Sequence, residues 1–144
     1  MELNLALNEL LVKLFKDINQ IEERALRTED YQGITTNDMH VIEAIGVDTQ
    51  KNMSSVAKTL SVTMGTLTIA VNSLVKKGMV QRVRSEEDRR VVLVSLTESG
   101  IKAHEHHKQF HNHMIAQIVK GLSEEETAVL EKAVRNLNQF FKEI

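Results

Sequence analysis

The stretch Ser54–Leu96, SSVAKTLSVTMGTLTIAVNSLVKKGMVQRVRSEEDRRVVLVSL, decides the fold. Its first half has helical spacing. Residues 54–60 read as a short helix and Ser61-Val62-Thr63 as a turn. A second helix runs from Met64 to about Lys77 and is stopped by Gly78. Leu67, Val71, Leu74 and Val75 recur every three or four residues and give that helix one inward face. Past Gly78 the period changes. Met79–Arg84 and Val91–Leu96 are rich in β-branched residues and read as strands. Between them Ser85-Glu86-Glu87-Asp88-Arg89-Arg90 has no apolar residue and reads as a hairpin tip. Two short helices joined by a tight turn and followed by a hairpin make a winged helix-turn-helix.

The flanks are helical. Leu3, Leu7, Leu10, Leu14, Ile18 and Ile21 form one stripe, with Leu11 beside it, and predict a first helix over about Leu3–Leu26. Residues 27–35 read as a loop. Thr35 followed by Asp38 resembles a capping box and starts a helix that ends at Gly46. Thr97 caps a long helix to about Val119, and Ser123 with Glu126 caps a last helix to Ile144. The expected architecture is mainly α with a small β-hairpin wing, in a single domain over 1–144. About 34–97 form the winged helix-turn-helix lobe, and about 1–30 and 98–144 form outer helices that pair two subunits.

Composition narrows the function classes. A length of 144 residues suits one domain, and 42% hydrophobic with 26% charged residues suits a folded chain. One Tyr and four Phe leave the core to aliphatic side chains. The absence of Cys excludes a disulfide scaffold, a Cys-based zinc site and a thiol nucleophile, and the absence of Pro fits a mostly helical chain. No apolar run approaches the ~20 residues of a membrane span, and no basic-then-apolar leader is visible, so a cytoplasmic protein without a membrane partner is expected. No G-x-S-x-G, Walker A or G-x-G-x-x-G occurs, and no organised nucleophile accompanies the histidines, so an enzyme is not expected.

The net charge of -2 hides an asymmetry. Residues 51–90 carry eight Lys/Arg against three Asp/Glu, a local +5, while the remainder carries -7. A basic middle in an acidic frame fits either a polyanion site or a solvated loop. The helix from Met64 is suited to the DNA major groove. Thr63, Met64, Thr66 and Thr68 lie in its first turns. Hydroxyls there can reach phosphates or bases, and threonine methyls can reach thymine methyls. Gly65 removes a side chain where the backbone could approach phosphate at a helix N-terminus. Asn72 lies further along and can reach an adenine or a phosphate. At the hairpin tip Arg84, Arg89 and Arg90 can enter a minor groove, and an Asp88–Arg90 pair would rigidify the tip.

These residues carry a resemblance. Ser55–Leu60, Val62–Thr68 and Leu74–Gly78, then Arg84-Ser85 through Asp88-Arg89-Arg90 and Leu96-Thr97-Glu98-Ser99-Gly100, resemble the MarR family of winged-helix repressors. The DxR followed by LTxxG at this spacing is specific, and the resemblance covers essentially the whole chain. It implies DNA contacts through Ser54, Thr63, Met64, Gly65, Thr66, Thr68, Asn72, Lys76, Arg84, Ser85, Asp88, Arg89 and Arg90. It also implies a homodimer on a pseudo-palindromic operator in double-stranded DNA. Within the family the chain is most similar to the FabT-type regulators of bacterial fatty-acid biosynthesis. The matching residues are Ile21-Glu22-Glu23 with Leu26-Arg27, Met39-His40 with Ile42 and Ile45-Gly46, the wing from Val83 to Arg90, and His107 with Phe110-His111. That subgroup implies repression strengthened by long-chain acyl groups on acyl carrier protein, with no required cofactor.

Two further expectations concern the outer helices. Leu130, Ala133, Val134, Leu137, Phe140, Phe141 and Ile144 form a stripe on the last helix, expected to pack with the first helix against a second subunit. Ile18, Ile21, Ile42, Ile45 and Ile115 could line an apolar cleft for an alkyl chain, or simply be core. Five of the six His fall in residues 104–113. At 100° per residue His104, His107 and His111 share a face with Ile101, Ile115 and Ile118, while His106 and His113 point to the polar side. His107 and His111 have a spacing that can chelate a metal. Zinc-sensing members of the family imply a site at Glu22, His40, His107 and His111, although His40 falls off the main apolar stripe of its helix.

Overall fold

The computed structural model describes residues 2–26, 31 and 33–144. The elements run α1 (Glu2–Leu26), α2 (Thr36–Ile45), β1 (Lys51–Asn52), α3 (Met53–Leu60), α4 (Met64–Lys76), β2 (Val80–Arg84), β3 (Val92–Leu96), α5 (Glu98–Val119) and α6 (Glu124–Glu143). The expected winged helix-turn-helix and its flanking helices are present, with boundaries shifted by a residue or two. The loop expected over 27–35 lies largely outside the described residues.

Local chemistry sets the helix starts. Thr35 Oγ1 accepts from the Asp38 N–H at 3.0 Å, and the Asp38 carboxylate accepts from the Thr35 N–H at 3.0 Å, completing the capping box. Ser123 and Glu126 repeat it at α6. The α3–α4 turn is closed by Ser61 in the left-handed region (φ 55°), with the Val62 N–H donating to Ala57 O at 3.0 Å.

Two antiparallel pairings make a three-stranded sheet in the order β1-β3-β2. β1 was not expected. It pairs Lys51 with Val94 and Asn52 with Leu93, and two residues are too few to show an alternating pattern in sequence. Asn52 also caps α3, accepting from the Ser55 N–H at 2.7 Å.

The chain forms two compact units, Met1–Lys108 and Gln109–Ile144. In the first, Met39, Ile42 and Ile45 of α2, Val56 of α3, Leu67, Val71 and Leu74 of α4 and Val94 of β3 are fully buried. The core is aliphatic, as the scarcity of aromatics requires. Burying that face of α4 leaves its opposite face to solvent. Lys77, just past α4, donates to the Asp38 carboxylate at 2.6 Å, tying the end of α4 to the start of α2. In the second unit the remainder of α5 is followed by α6, which has no buried residue. No described helix is long and apolar enough to cross a membrane.

Candidate nucleic-acid interface

The exposed face of α4 begins at its cap. Thr63 Oγ1 accepts from the Thr66 N–H at 3.1 Å and donates its own hydrogen to Thr66 Oγ1 at 3.0 Å. Thr66 therefore keeps its hydroxyl hydrogen for an external acceptor. Thr68 donates to the Met64 carbonyl at 2.7 Å. That bond occupies its hydroxyl hydrogen; its methyl and a remaining lone pair are what it can offer. A Cβ added at Gly65 would meet nothing closer than Thr63 Oγ1 at 4.0 Å, so internal packing does not demand glycine there.

The wing flanks this face. Its tip is closed by Ser85 N–H donating to Val91 O at 2.9 Å and Val91 N–H donating to Asp88 O at 2.9 Å. The expected Asp88–Arg90 pair is present and doubly bonded. Arg90 Nε donates to one carboxylate oxygen at 3.0 Å and Nη2 to the other at 3.0 Å, while the Arg90 N–H adds a third bond at 3.1 Å. The Arg90 guanidinium, then its backbone N–H, hold the Asp88 carboxyl below its ordinary value, and the same pair raises Arg90. Arg84 also braces the tip: its Nη1 donates to the Arg89 carbonyl at 2.9 Å, while its side chain stays exposed with further N–H groups to offer.

Ser54, Thr63, Met64, Gly65, Thr66, Thr68, Asn72, Lys76, Arg84, Arg89 and Arg90 are all exposed, and Ser85 and Asp88 are half-buried. A cleft of about 470 Å³ opens between the start of α3, α4 and the wing, with Ser54, Met64, Thr68, Arg82, Arg90 and Val92 among its lining residues. Arg82 is the charged lining residue that sequence reasoning missed. Its Nη1 donates to Asn72 Oδ1 at 2.6 Å, joining wing to α4. Strand alternation does not mark it: Val80, of the same parity on β2, is buried, whereas Arg82 is exposed.

The other predicted sites fare differently. Ile42 and Ile45 have no exposure and serve as core, which leaves them no surface on an open cleft in this conformation. Ile18 is half-buried and Ile21 exposed on α1; Ile115 is exposed in the second unit. Glu22 is buried on α1, and His40 Nε2 stands 3.9 Å from its carboxylate even though His40 lies off the apolar stripe. His107 is buried, offers a nitrogen within 4.8 Å of a Glu22 oxygen, and has Nε2 3.6 Å from the Glu43 carboxylate. His111 follows one helical turn later on α5. His106 departs from its assignment to the polar side: it is half-buried, with its ring 4.6 Å from that of Tyr31. A helical wheel has no knowledge of a residue arriving from a distant loop.

Comparison with known proteins agrees with this architecture. Residues 27–107 match the family model for transcriptional regulator SarA/Rot. A crystal structure of Streptococcus pneumoniae FabT in complex with DNA is 43% identical, superposes with a TM-score of 0.89, and matches 97% of this chain and 98% of that one. The multiple antibiotic resistance protein MarR of Escherichia coli is 30% identical over 88% of this chain and 90% of its own. The regulator SarZ of Staphylococcus haemolyticus is 33% identical over 65% of this chain and 64% of its own length. For several curated relatives, SarZ among them, the match spans less than two thirds of the relative. The chain belongs to the MarR family of winged-helix transcription regulators. The relatives named here are regulators, not enzymes.

Proposed function

We propose that the protein is a sequence-specific DNA-binding repressor. It acts as a homodimer on a pseudo-palindromic operator of fatty-acid biosynthesis genes, and long-chain acyl groups on acyl carrier protein tighten its grip. The observation that carries the DNA reading is the solvent-facing side of α4 beside a wing braced by Asp88–Arg90. The first turns of α4 offer Thr66 and the Thr68 methyl to base edges, with Gly65 admitting a phosphate to the helix N-terminus. Arg89 and Arg90 lie along the adjoining minor groove. The dimer reading is supported by apolar side chains left at the surface, among them Leu7, Leu11 and Phe15 on α1 and Val134, Phe140 and Phe141 on α6. A twofold pairing would set two α4 helices about 34–36 Å apart, one turn of duplex. The likeness to FabT supports the fatty-acid assignment. The test is capture of genomic operator fragments, followed by affinity measurements with and without oleoyl-acyl carrier protein. Tightening of at least tenfold supports the reading; equal affinity rejects the effector.

The buried Glu22 beside His40 and His107 favours one second reading, repression governed by zinc. Ligands at ~2.0–2.2 Å from a tetrahedral ion stand about 3.3 Å from one another. The 3.9 Å between His40 Nε2 and Glu22 needs only a small contraction. Glu22, His40 and His107 would hold the ion, which would lock α1, α2 and the first half of α5 in one arrangement. Stoichiometric zinc in untagged protein, and operator binding abolished by a chelator, support this reading; no binding at nanomolar zinc rejects it.

A further inference from the structure

We infer that Arg82 and Asn72 act as one unit, a wing-to-helix clamp that turns a donor-rich edge to a DNA phosphate, so that Asn72 is not an adenine reader. The inference rests on the proposed DNA-binding role and assigns its parts.

A guanidinium has donors and no acceptor. The Asn72 atom facing Arg82 Nη1 at 2.6 Å is therefore the amide oxygen, and this fixes which way the amide points. Reading adenine with an asparagine needs both ends of the amide, the oxygen accepting from N6 and the nitrogen donating to N7. Arg82 takes one of the oxygen's two lone pairs, and its cationic N–H groups disfavour a second donor such as N6 beside them. The edge left to a ligand is Nδ2 with its two hydrogens, next to the remaining N–H groups of Arg82. Such an edge fits the acceptor-only surface of a phosphate.

Charge points the same way. Arg90 is neutralised by Asp88, whereas Arg82 binds a neutral amide and retains its full charge. It does so on the wall of the cleft between α4 and the wing, in company with Thr68, one turn before Asn72 on the same face. Arg82 is thus a positioning residue for Asn72 as well as a cation in its own right.

The test uses full-length Arg82→Ala, Arg82→Lys, Asn72→Ala and the double variant. Each is titrated across a salt series on two 30-bp duplexes: one selected by the wild-type protein from a randomised pool, and one unrelated. Thermal melts confirm that these exposed substitutions leave the fold intact. Arg82→Ala should weaken binding about tenfold on both duplexes and lower the slope of log K against log salt by ~0.9. Arg82→Lys should restore the slope but not the full affinity. Asn72→Ala should weaken both duplexes equally, by about threefold, and the double variant should lose less than the product of the singles. Three results overturn the clamp: Asn72→Ala relaxing the preference at an adenine position, unchanged affinity and slope in Arg82→Ala, or losses that multiply. A wild-type protein that selects no sequence would instead reject the proposed repressor, and the unrelated duplex would still decide the clamp.

Discussion

Gly100 lies against the backbone of Met79 so closely that a Cβ at position 100 would come within 2.1 Å of the Met79 carbonyl oxygen. Around this contact the Thr97 hydroxyl donates to Gly78 O at 2.6 Å and accepts from the Gly100 N–H at 3.1 Å, while the Thr97 N–H donates to Met79 O at 3.0 Å. The Leu96-Thr97-Glu98-Ser99-Gly100 run is thus a joint between the end of α4 and the start of α5. Gly100→Ala should cost about 2–3 kcal/mol by forcing backbone apart. At roughly 3 °C per kcal/mol the melting temperature should fall by about 6–9 °C. A melt within 2 °C of wild type would show that the joint yields.

Gly65 should behave in the opposite way. Its helical position has room for a methyl group, so Gly65→Ala should stabilise the free protein, by up to about 0.5–1 kcal/mol. If phosphate approaches its backbone, the same change weakens DNA binding several-fold. Stability and affinity measured on one preparation separate the two effects; tighter or equal binding rejects the close approach.

Asp88 offers a test by sign. Asp88→Asn removes a negative charge beside the proposed duplex, and simple repulsion predicts tighter binding. Positioning predicts the reverse, a loss of about fivefold, because Arg90 is released. The pH dependence follows from the lowered Asp88 carboxyl. Its pairing is intact above the ordinary carboxylate value and is lost only as pH falls through the depressed one. Wild-type binding should therefore show no wing-dependent change between about pH 5 and 8. A change over that range that vanishes in Asp88→Asn would contradict the assignment.

Phe140 is 58% exposed on α6. If that face meets a second subunit, Phe140→Asp should raise the dimer dissociation constant by at least tenfold and weaken operator binding in parallel. Sedimentation velocity reads the first and fluorescence anisotropy the second. A wild-type monomer at micromolar concentration would remove the dimer.

What was legible in sequence was local. Thr35 with Asp38, and Ser123 with Glu126, sit three residues apart and mark their helix starts by themselves. Asp88 and Arg90, two residues apart, were equally readable. Contacts across elements were not. Arg82 and Asn72 are ten residues apart on a strand and a helix, and only the packing of the wing brings them together. Tyr31 on His106 and Lys77 on Asp38 are of the same kind. Ile42 and Ile45 looked equally suited to a ligand or to the core, because both need the same apolar surface; their zero exposure reveals which they serve here.

Asp38 has one side chain and two obligations. The oxygen that accepts from the Thr35 N–H also accepts from Lys77. Replacing it with alanine would fray one helix and unfasten another in a single stroke, and no second change at either partner could repair both. The reading head and the helix behind it consequently stand or fall together, so evolution can retune the α4 surface freely only while this carboxylate stays where it is.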